Sequence, residues 1–184
     1  MKPVAEGSAQ WTLRLFLRQP TADDVGVILR LHQDPLATAH NPSDALEDEP
    51  AAQKLLRQWT QHWQQHAIGY WALSWRDDAA VLGFCGLKVV TMHGRTVSNL
   101  MYRLDPAAWG HGVATEAASA VVEQALGHRP NDPVIARVRP ANRASARVAL
   151  KAGLVRAAEL DTIGEDGLDH IYASPGWRPA VISP

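Results

Sequence analysis

A short glycine-containing run, WGHGVATEA over Trp109 to Ala117, most restricts the folds open to this chain. Gly110 and Gly112 stand one residue apart, directly before small apolar residues at helical spacing. Glycine disfavours helix and strand interiors but reaches backbone conformations closed to other residues. The pattern therefore predicts a tight turn leading from a strand into a helix. Free N–H groups at such a helix start can bind phosphate oxygens, although a tight turn without a ligand explains the same glycines.

Alternating apolar residues indicate the strands of an α/β domain with a mixed sheet. Leu13, Leu15 and Leu17 alternate in TLRLFLR, residues 12–18. Two short polar connections join YWALSW, VLGFCGLKVV and TVSNLMYRL, which predicts an antiparallel meander that leads directly into WGHGVATEA. The remaining strands are predicted in VIARVR, VRAAELDTI and DHIYAS.

Residues at helical spacing place four helices between these strands. One follows Thr21, a second extends from Pro50 to His66, and a third follows the glycine turn. The fourth is in PANRASARVALKAGL, where Asn142 suits the N-cap and Gly153 the position after the C-cap. The predicted order is β-α-α-β-β-β-α-β-α-β-β. We expect one domain over residues 12–174, a loose leader over 1–11 and a tail over 175–184.

Composition and charge exclude several classes of function. The formal net charge is −1 in 184 residues, so no overall basic field attracts nucleic acid. The single cysteine, Cys85, excludes an internal disulfide framework and favours a reducing compartment. The start of the chain, MKPVAEGSAQ, lacks the apolar core of a signal peptide, and no run approaches the roughly 20 apolar residues of a membrane helix. We expect a cytoplasmic monomer or homodimer that binds neither nucleic acid nor membrane.

Two familiar phosphate-binding motifs do not match the turn. The P-loop needs G-x-x-x-x-G-K-[ST], which GHGVAT does not supply. The dinucleotide fingerprint needs a third glycine where Thr115 stands, and it needs a preceding βαβ unit rather than a meander.

The turn instead resembles the signature [QR]-x-x-G-x-[GA] of the GNAT superfamily of acyl-CoA N-acyltransferases, aligned over Trp109 to Ala114. Trp109 departs from the Gln/Arg position. That departure is similar to the branch of ribosomal-protein-alanine N-acetyltransferases, in which W-G-x-G-x-A-T-E-A follows D-P, here Asp105 and Pro106. A second block resembles the same branch, through its pattern N-x-x-S…K-x-G-[FL]. It comprises Asn142, Ser145, Lys151 and Gly153.

This resemblance implies that the turn cradles the pyrophosphate of coenzyme A, with the N–H groups of residues 110–115 as donors. His111 would add charge when protonated, or it is simply an exposed turn residue. The resemblance also implies that the fourth and fifth strands splay apart and that the pantetheine arm pairs with the backbone of the fourth. Asn142 would bond that arm, or it only caps its helix. The implied cofactor-binding residues are Met101, Tyr102, Arg103, Leu104, Trp109, Gly110, His111, Gly112, Val113, Ala114, Thr115, Asn142 and Ser145.

The implied chemistry is direct attack of an amine on the thioester of acetyl-CoA. Many members of the superfamily protonate the thiolate from a tyrosine, but Ala149 stands at that position. Ser145, one turn earlier, is the expected donor, and an exposed helix serine is the alternative. Asn99 occupies the position of a common glutamate base and can only orient a water. His40, Glu116 or Asp169 could fill the role of the base instead.

The missing carboxylate favours a weakly basic acceptor. An α-amine has a pKa of about 7.7–8.0 and a lysine about 10.4, so deprotonating the lysine costs roughly 3.5 kcal/mol more near neutrality. We therefore expect an enzyme that acetylates a protein N-terminal α-amine. A small-molecule amine acetyltransferase and a catalytically weak acyl-CoA-binding protein are the alternatives.

Two further patterns admit a functional and a structural interpretation. His62 and His66 have the i, i+4 spacing of zinc ligands, but no third ligand is evident, so we expect a polar helix flank and no metal. The acidic run of residues 44–49 could attract a cationic acceptor, or it is a solvated loop.

Overall fold

A computed structural model describes residues 9–177, and in this part of the chain a nine-stranded sheet is packed between two groups of helices. The strands are β1 Ala9–Trp11, β2 Leu15–Arg18, β3 Tyr70–Trp75, β4 Val81–Met92, β5 Arg95–Leu104, β6 Val134–Val138, β7 Val155–Arg156, β8 Thr162–Gly164 and β9 Gly167–Ala173. The helices are α1 Val25–Gln33, α2 Pro35–Thr38, α3 Glu49–His66, α4 Val113–His128 and α5 Arg143–Lys151.

The sheet is antiparallel except at one position. Its order is β1-β2-β3-β4-β5-β6-β9-β7, and β8 pairs with β9. Strands β5 and β6 run parallel, and their pairing extends only from Ser98–Val134 to Leu100–Ala136. Since β5 continues to Leu104, its last four residues extend past the end of this ladder. The mixed sheet and the β3–β4–β5 meander are therefore as predicted.

Side chains of β5 alternate between two separate apolar cores, as the period of a strand requires. Leu100, Tyr102 and Leu104 pack with helices α4 and α5 on one face. Met101 packs on the opposite face with the core of α1 and α3, which includes Trp59. Strand β5 thus contributes side chains to the cores on both sides of the sheet.

Local sequence signals explain the helix ends. Asp48 caps α3 by accepting a hydrogen bond from the Ala51 N–H at 2.9 Å. The predicted cap of α5 is also present, since Asn142 Oδ1 accepts from the Ser145 N–H at 3.0 Å. Gly153 follows α5 with φ +89°, a left-handed conformation that favours glycine.

The described elements differ from the sequence prediction in several places. Residues 9–11 form β1 within the expected loose leader, and β2 begins at Leu15 rather than Thr12. Helix α2 and a 3₁₀ turn over Pro42–Asp44, leading into the acidic run, were not predicted. The predicted strand VRAAELDTI is divided by a 3₁₀ turn, Ala158–Leu160. These elements are short and their ends are set by tertiary contacts, so periodicity does not reveal them.

Trp177 is another difference, because it lies in the segment expected to be a tail yet is buried against Ile135 and Leu160. Residues 1–8 and 178–184, the remainder of the predicted leader and tail, lie outside the described residues. No helix within residues 9–177 is long and apolar enough to cross a membrane.

Candidate active site

The turn between β5 and α4 leaves a series of backbone donors free. Gly110 and Gly112 have φ values of +78° and +77°, so both glycines satisfy a left-handed backbone. Within the described residues, the N–H groups of residues 110–115 donate to no acceptor, and the next N–H, of Glu116, bonds to Gly112. These free groups lie at the start of a 16-residue helix, where the helix dipole favours negative charge.

Side chains from the sheet and from α1 brace this turn. Asp105 accepts from the Ala107 N–H at 2.9 Å and forms an ion pair with Arg30. These two contacts, the backbone hydrogen bond first, hold the pKa of Asp105 below its usual range. The Trp109 indole donates to the Leu104 carbonyl at 3.2 Å. The turn is therefore held in place by groups that leave its N–H donors free.

Arg14, directly before β2, and Glu116, in the first turn of α4, brace the same turn. Arg14 donates to the His111 carbonyl at 3.0 Å, and its Nε lies 2.7 Å from Glu116 Oε2. Burial opposes ionisation of Glu116, but hydrogen bonds from Thr12 and Arg14 outweigh it and lower the pKa of this carboxyl. Glu116 is thus a structural carboxylate rather than a free base. The His111 ring is exposed at the turn.

Beside the turn, the divergence of β5 and β6 exposes one edge of β5. The Ser98 N–H donates to Pro133 on the β6 side, and the Asp105 N–H donates to Leu82 on the β4 side. Backbone groups alternate along a strand, so those of Leu100, Tyr102 and Leu104 point toward the β6 side. Since the ladder ends at Leu100, the backbone of residues 101–104 borders an open gap on that side.

Next to this gap, a pair of hydroxyl groups joins β5 to α5. Tyr102 on β5 donates through its Oη to Ser145 Oγ on α5 at 2.7 Å. Burial raises the pKa of Tyr102 to about 12, although the bond to Ser145 acts in the opposite direction. Asn142 uses Oδ1 to cap α5, and its Nδ2 donates to no described residue. Ser145 therefore has its backbone held by Asn142 and its hydroxyl held by Tyr102.

The opposite face of β5 presents two buried polar atoms without partners. Asn99 Oδ1 and Arg103 Nη1 are inaccessible to solvent and accept or donate no hydrogen bond among the described residues. Arg103 Nη2 lies 2.6 Å from Asp44 Oδ2, and the Arg103 side chain is 6% exposed against 47% for Asp44. Burial lowers the pKa of Arg103, and the charge of Asp44 opposes this.

The loop that supplies Asp44 closes over this face. The N–H and the hydroxyl of Ser43 donate to the Asp166 carboxylate at 3.0 and 2.6 Å, so the loop is joined to the β8–β9 turn. Beneath it, His32 Nδ1 lies 2.8 Å from the Ile28 carbonyl. Burial and the nearby charge of Arg103 lower the pKa of His32 to about 4, so this ring is neutral near pH 7.

The other candidate bases have different surroundings. Asp169 is buried between Arg137 and Arg139, at 2.7 and 3.3 Å. His40 is exposed on the loop after α2. His62 Nε2 accepts from the Val89 N–H at 3.2 Å, which ties α3 to β4. In the described part of the chain, no group of three or more His, Cys, Asp or Glu side chains could hold a metal ion.

Comparison with known proteins identifies the family. The protein-family model described as the acetyltransferase (GNAT) domain matches residues 14–155, which include the glycine turn, the gap and α5. The chain belongs to the GNAT acetyltransferase family. This GNAT protein is an acetyl-CoA-dependent N-acyltransferase with the mixed α/β fold of that family.

Two curated relatives extend this assignment. An uncharacterized N-acetyltransferase of Schizosaccharomyces pombe is 28% identical over 182 residues, 88% of this chain and 91% of that protein. The uncharacterized protein YkkB of Bacillus subtilis is 31% identical over 102 residues, which are 53% of this GNAT protein and 59% of that relative.

Solved structures share the fold at lower identity. An acetyltransferase from Agrobacterium tumefaciens has a TM-score of 0.75 at 22% identity. The match covers 90% of this chain and 92% of the Agrobacterium chain. RimL, a ribosomal L7/L12 alpha-N-protein acetyltransferase solved with coenzyme A, has a TM-score of 0.70 at 15% identity, with coverages of 93% and 95%. The aminoglycoside acetyltransferase AAC(6')-Ib, also solved with coenzyme A, has a TM-score of 0.69 at 16% identity, with coverages of 87% and 94%.

The residues of this GNAT protein fit acetyl-CoA as the co-substrate. Free N–H groups at the start of α4 suit the two phosphates of a pyrophosphate, and an open strand edge suits an amide-containing arm. The sequence anticipated both features. It did not reveal the Tyr102–Ser145 bond or the Arg103–Asp44 pair, because these partners lie 43 and 59 positions apart in the chain.

Proposed function

We propose that this GNAT protein acetylates protein N-terminal α-amines, and that residues 110–115 and the edge of β5 over residues 101–104 bind acetyl-CoA. Acetyl-CoA supplies the thioester from which the acetyl group is transferred. The six N–H groups of the turn bind and orient its pyrophosphate without needing a charged side chain. The outward-facing N–H groups of β5 hold the arm and polarise the thioester carbonyl.

The observation that favours an α-amine is the unpartnered Oδ1 of Asn99. An amide oxygen accepts a hydrogen bond from an amine but does not remove its proton. Two titratable groups described above are poorly suited to act as the base: His32 has its pKa lowered to about 4, and Asp169 is paired with two arginines. An acceptor that is already partly neutral near pH 7 therefore suits this face, as an α-amine is.

One observation favours a small amine as the second candidate acceptor. The loop of residues 41–48 is joined to β5 through Asp44 and to the β8–β9 turn through Ser43, so it is held against the face of β5 that carries Arg103. A peptide would need this loop to move, whereas a small amine would not.

The test is release of free thiol from acetyl-CoA with a matched panel of amines. One peptide has a free α-amine and no lysine, its partner has a blocked α-amine and one lysine, and the other acceptors are a polyamine and an aminoglycoside. Turnover of the first peptide above the second is the expected result. Turnover of the polyamine or the aminoglycoside alone would replace the protein acceptor with a small one. Absence of turnover across the panel, in protein that binds acetyl-CoA, would contradict amine acetylation.

A further inference from the structure

The hydroxyl pair of Tyr102 and Ser145, beside the gap between β5 and β6, has a defined direction of donation. Tyr102 has its pKa raised to about 12, so the phenol is protonated near pH 7. Its only hydrogen-bond partner within residues 9–177 is Ser145 Oγ, at 2.7 Å. Leaving a buried phenol O–H without an acceptor is costly, so Tyr102 donates and Ser145 accepts.

From this we infer that Tyr102 is a positioning residue, which occupies a lone pair of Ser145 and directs the Ser145 proton toward the departing sulfur of coenzyme A. A serine hydroxyl has one proton and can accept on its oxygen at the same time. Because Ser145 accepts a hydrogen bond from Tyr102, its own proton remains available to the sulfur of coenzyme A. The inference rests on the proposed function, because it places the thioester in this gap.

Tyr102 assists through a hydrogen bond and does not surrender its proton. An alkyl thiol has a pKa of about 8.5, well below the value of about 12 for Tyr102, so complete transfer from the phenol to the thiolate is unfavourable. In the reaction the N–C bond forms, the C–S bond breaks and the electron pair goes to sulfur. Ser145 then donates a hydrogen bond to that thiolate, and the proton lost by the amine goes to water.

The surroundings of Ser145 preserve this geometry. Its N–H is held by Asn142 Oδ1 at 3.0 Å, which fixes the residue in the first turn of α5. Ala149, one turn later, is buried and has no group that could replace the hydroxyl. Tyr102 is on β5 and Ser145 is on α5, so their bond fixes α5 against the strand that borders the gap.

The first test measures the thiol pKa of bound coenzyme A through the ultraviolet absorbance of its thiolate. A donor aimed at the sulfur lowers that pKa, and Tyr102→Phe and Ser145→Ala should each raise it by about one unit relative to wild type. The thiol pKa in the double variant should equal that in Ser145→Ala alone, because both substitutions remove the same hydrogen bond from Ser145 to the sulfur. Tyr172→Phe, in a tyrosine buried in the same core, is the control and should leave the pKa unchanged.

The second test measures kcat and KM with an amine that the wild-type protein acetylates. Tyr102→Phe should lower kcat about tenfold with little change in the KM for acetyl-CoA, since only the leaving thiolate is affected. A thiol pKa in Tyr102→Phe equal to that of wild type would overturn the inference, even if kcat falls through altered packing. A shifted thiol pKa with no turnover of any amine would instead overturn the proposed acetylation, while still showing that Tyr102 directs the Ser145 proton toward the sulfur of bound coenzyme A. Failure of the wild-type protein to bind coenzyme A would overturn both.

Discussion

The two sides of β5 are built on different principles. On the side of α4, the groups proposed to bind acetyl-CoA are backbone N–H donors, which the six consecutive residues 110–115 supply. On the side of α1 and α3, the polar groups are side chains such as Asp44, Asn99 and Arg103, brought together from separate segments. A backbone site depends on conformation and tolerates few changes at its glycines, whereas a side-chain site can change its acceptor through single substitutions.

Substitution of a turn glycine should produce the largest effect and should be confined to the α4 side. Gly112→Val places a β-branched residue at φ +77°, and its Cβ would lie 3.2 Å from Arg14 Nη2. We expect about 3 kcal/mol of lost binding, roughly a hundredfold weaker affinity for acetyl-CoA by titration calorimetry. Gly127→Ala, in the same helix with open space around it, is the control and should bind normally. Unchanged affinity in Gly112→Val would contradict a backbone phosphate site.

Acidification should lower the free energy of unfolding through His32, on the side of β5 that packs against α1 and α3. The folded pKa of His32 is about 4 and its ordinary value is 6.5, so the unfolded chain binds an additional proton between these values. Stability therefore falls as the pH falls from 6.5 toward 4, by about 2 to 3 kcal/mol from this group. The melting temperature, measured from pH 6.5 to pH 4, should change less with pH in His32→Gln than in His40→Gln, the control at an exposed histidine. Equal slopes would mean that His32 does not become protonated on unfolding.

Removal of the charge of Asp44 tests the loop that closes over the acceptor face. Asp44→Asn leaves the buried Arg103 guanidinium without its counterion, and we expect a loss of about 1 to 2 kcal/mol in unfolding free energy because Asp44 itself is half exposed. Asp132→Asn breaks the pair with Arg129 and should cost less, because the Arg129 guanidinium is more exposed than that of Arg103. The KM for the amine should change while the affinity for acetyl-CoA does not. A change in acetyl-CoA affinity would show that the two sides are coupled.

The smallest expected effect concerns the amide on β5. Asn99→Ala removes the unpartnered Oδ1, and we expect kcat to fall about tenfold, equivalent to one hydrogen bond of roughly 1.4 kcal/mol in the reaction. The measurement is steady-state kinetics beside Ser98→Ala, a neighbour whose side chain is on the other face. A fall in acetyl-CoA affinity rather than in kcat would show that Asn99 acts on acetyl-CoA and not on the acceptor amine.

Much of the fold could be predicted from sequence because its signals are local. The meander from Tyr70 to Leu104, helix α3 and the cap of α5 by Asn142 each depend on residues close together in the chain. Strand β1, helix α2 and the burial of Trp177 could not be predicted, because these short segments have weak periodicity and depend on distant partners.

The sequence by itself determined the glycine turn at Trp109 to Ala117 and, through it, the family and the co-substrate. The proposed phosphate site needs only the backbone conformation at two glycines and the start of one helix, and consecutive residues encode both. Only the tertiary structure decided that Tyr102 meets Ser145 and that Asp44 closes on Arg103. Those contacts join separate strands, helices and loops, and their geometry is set by how the sheet and the two helical layers pack together.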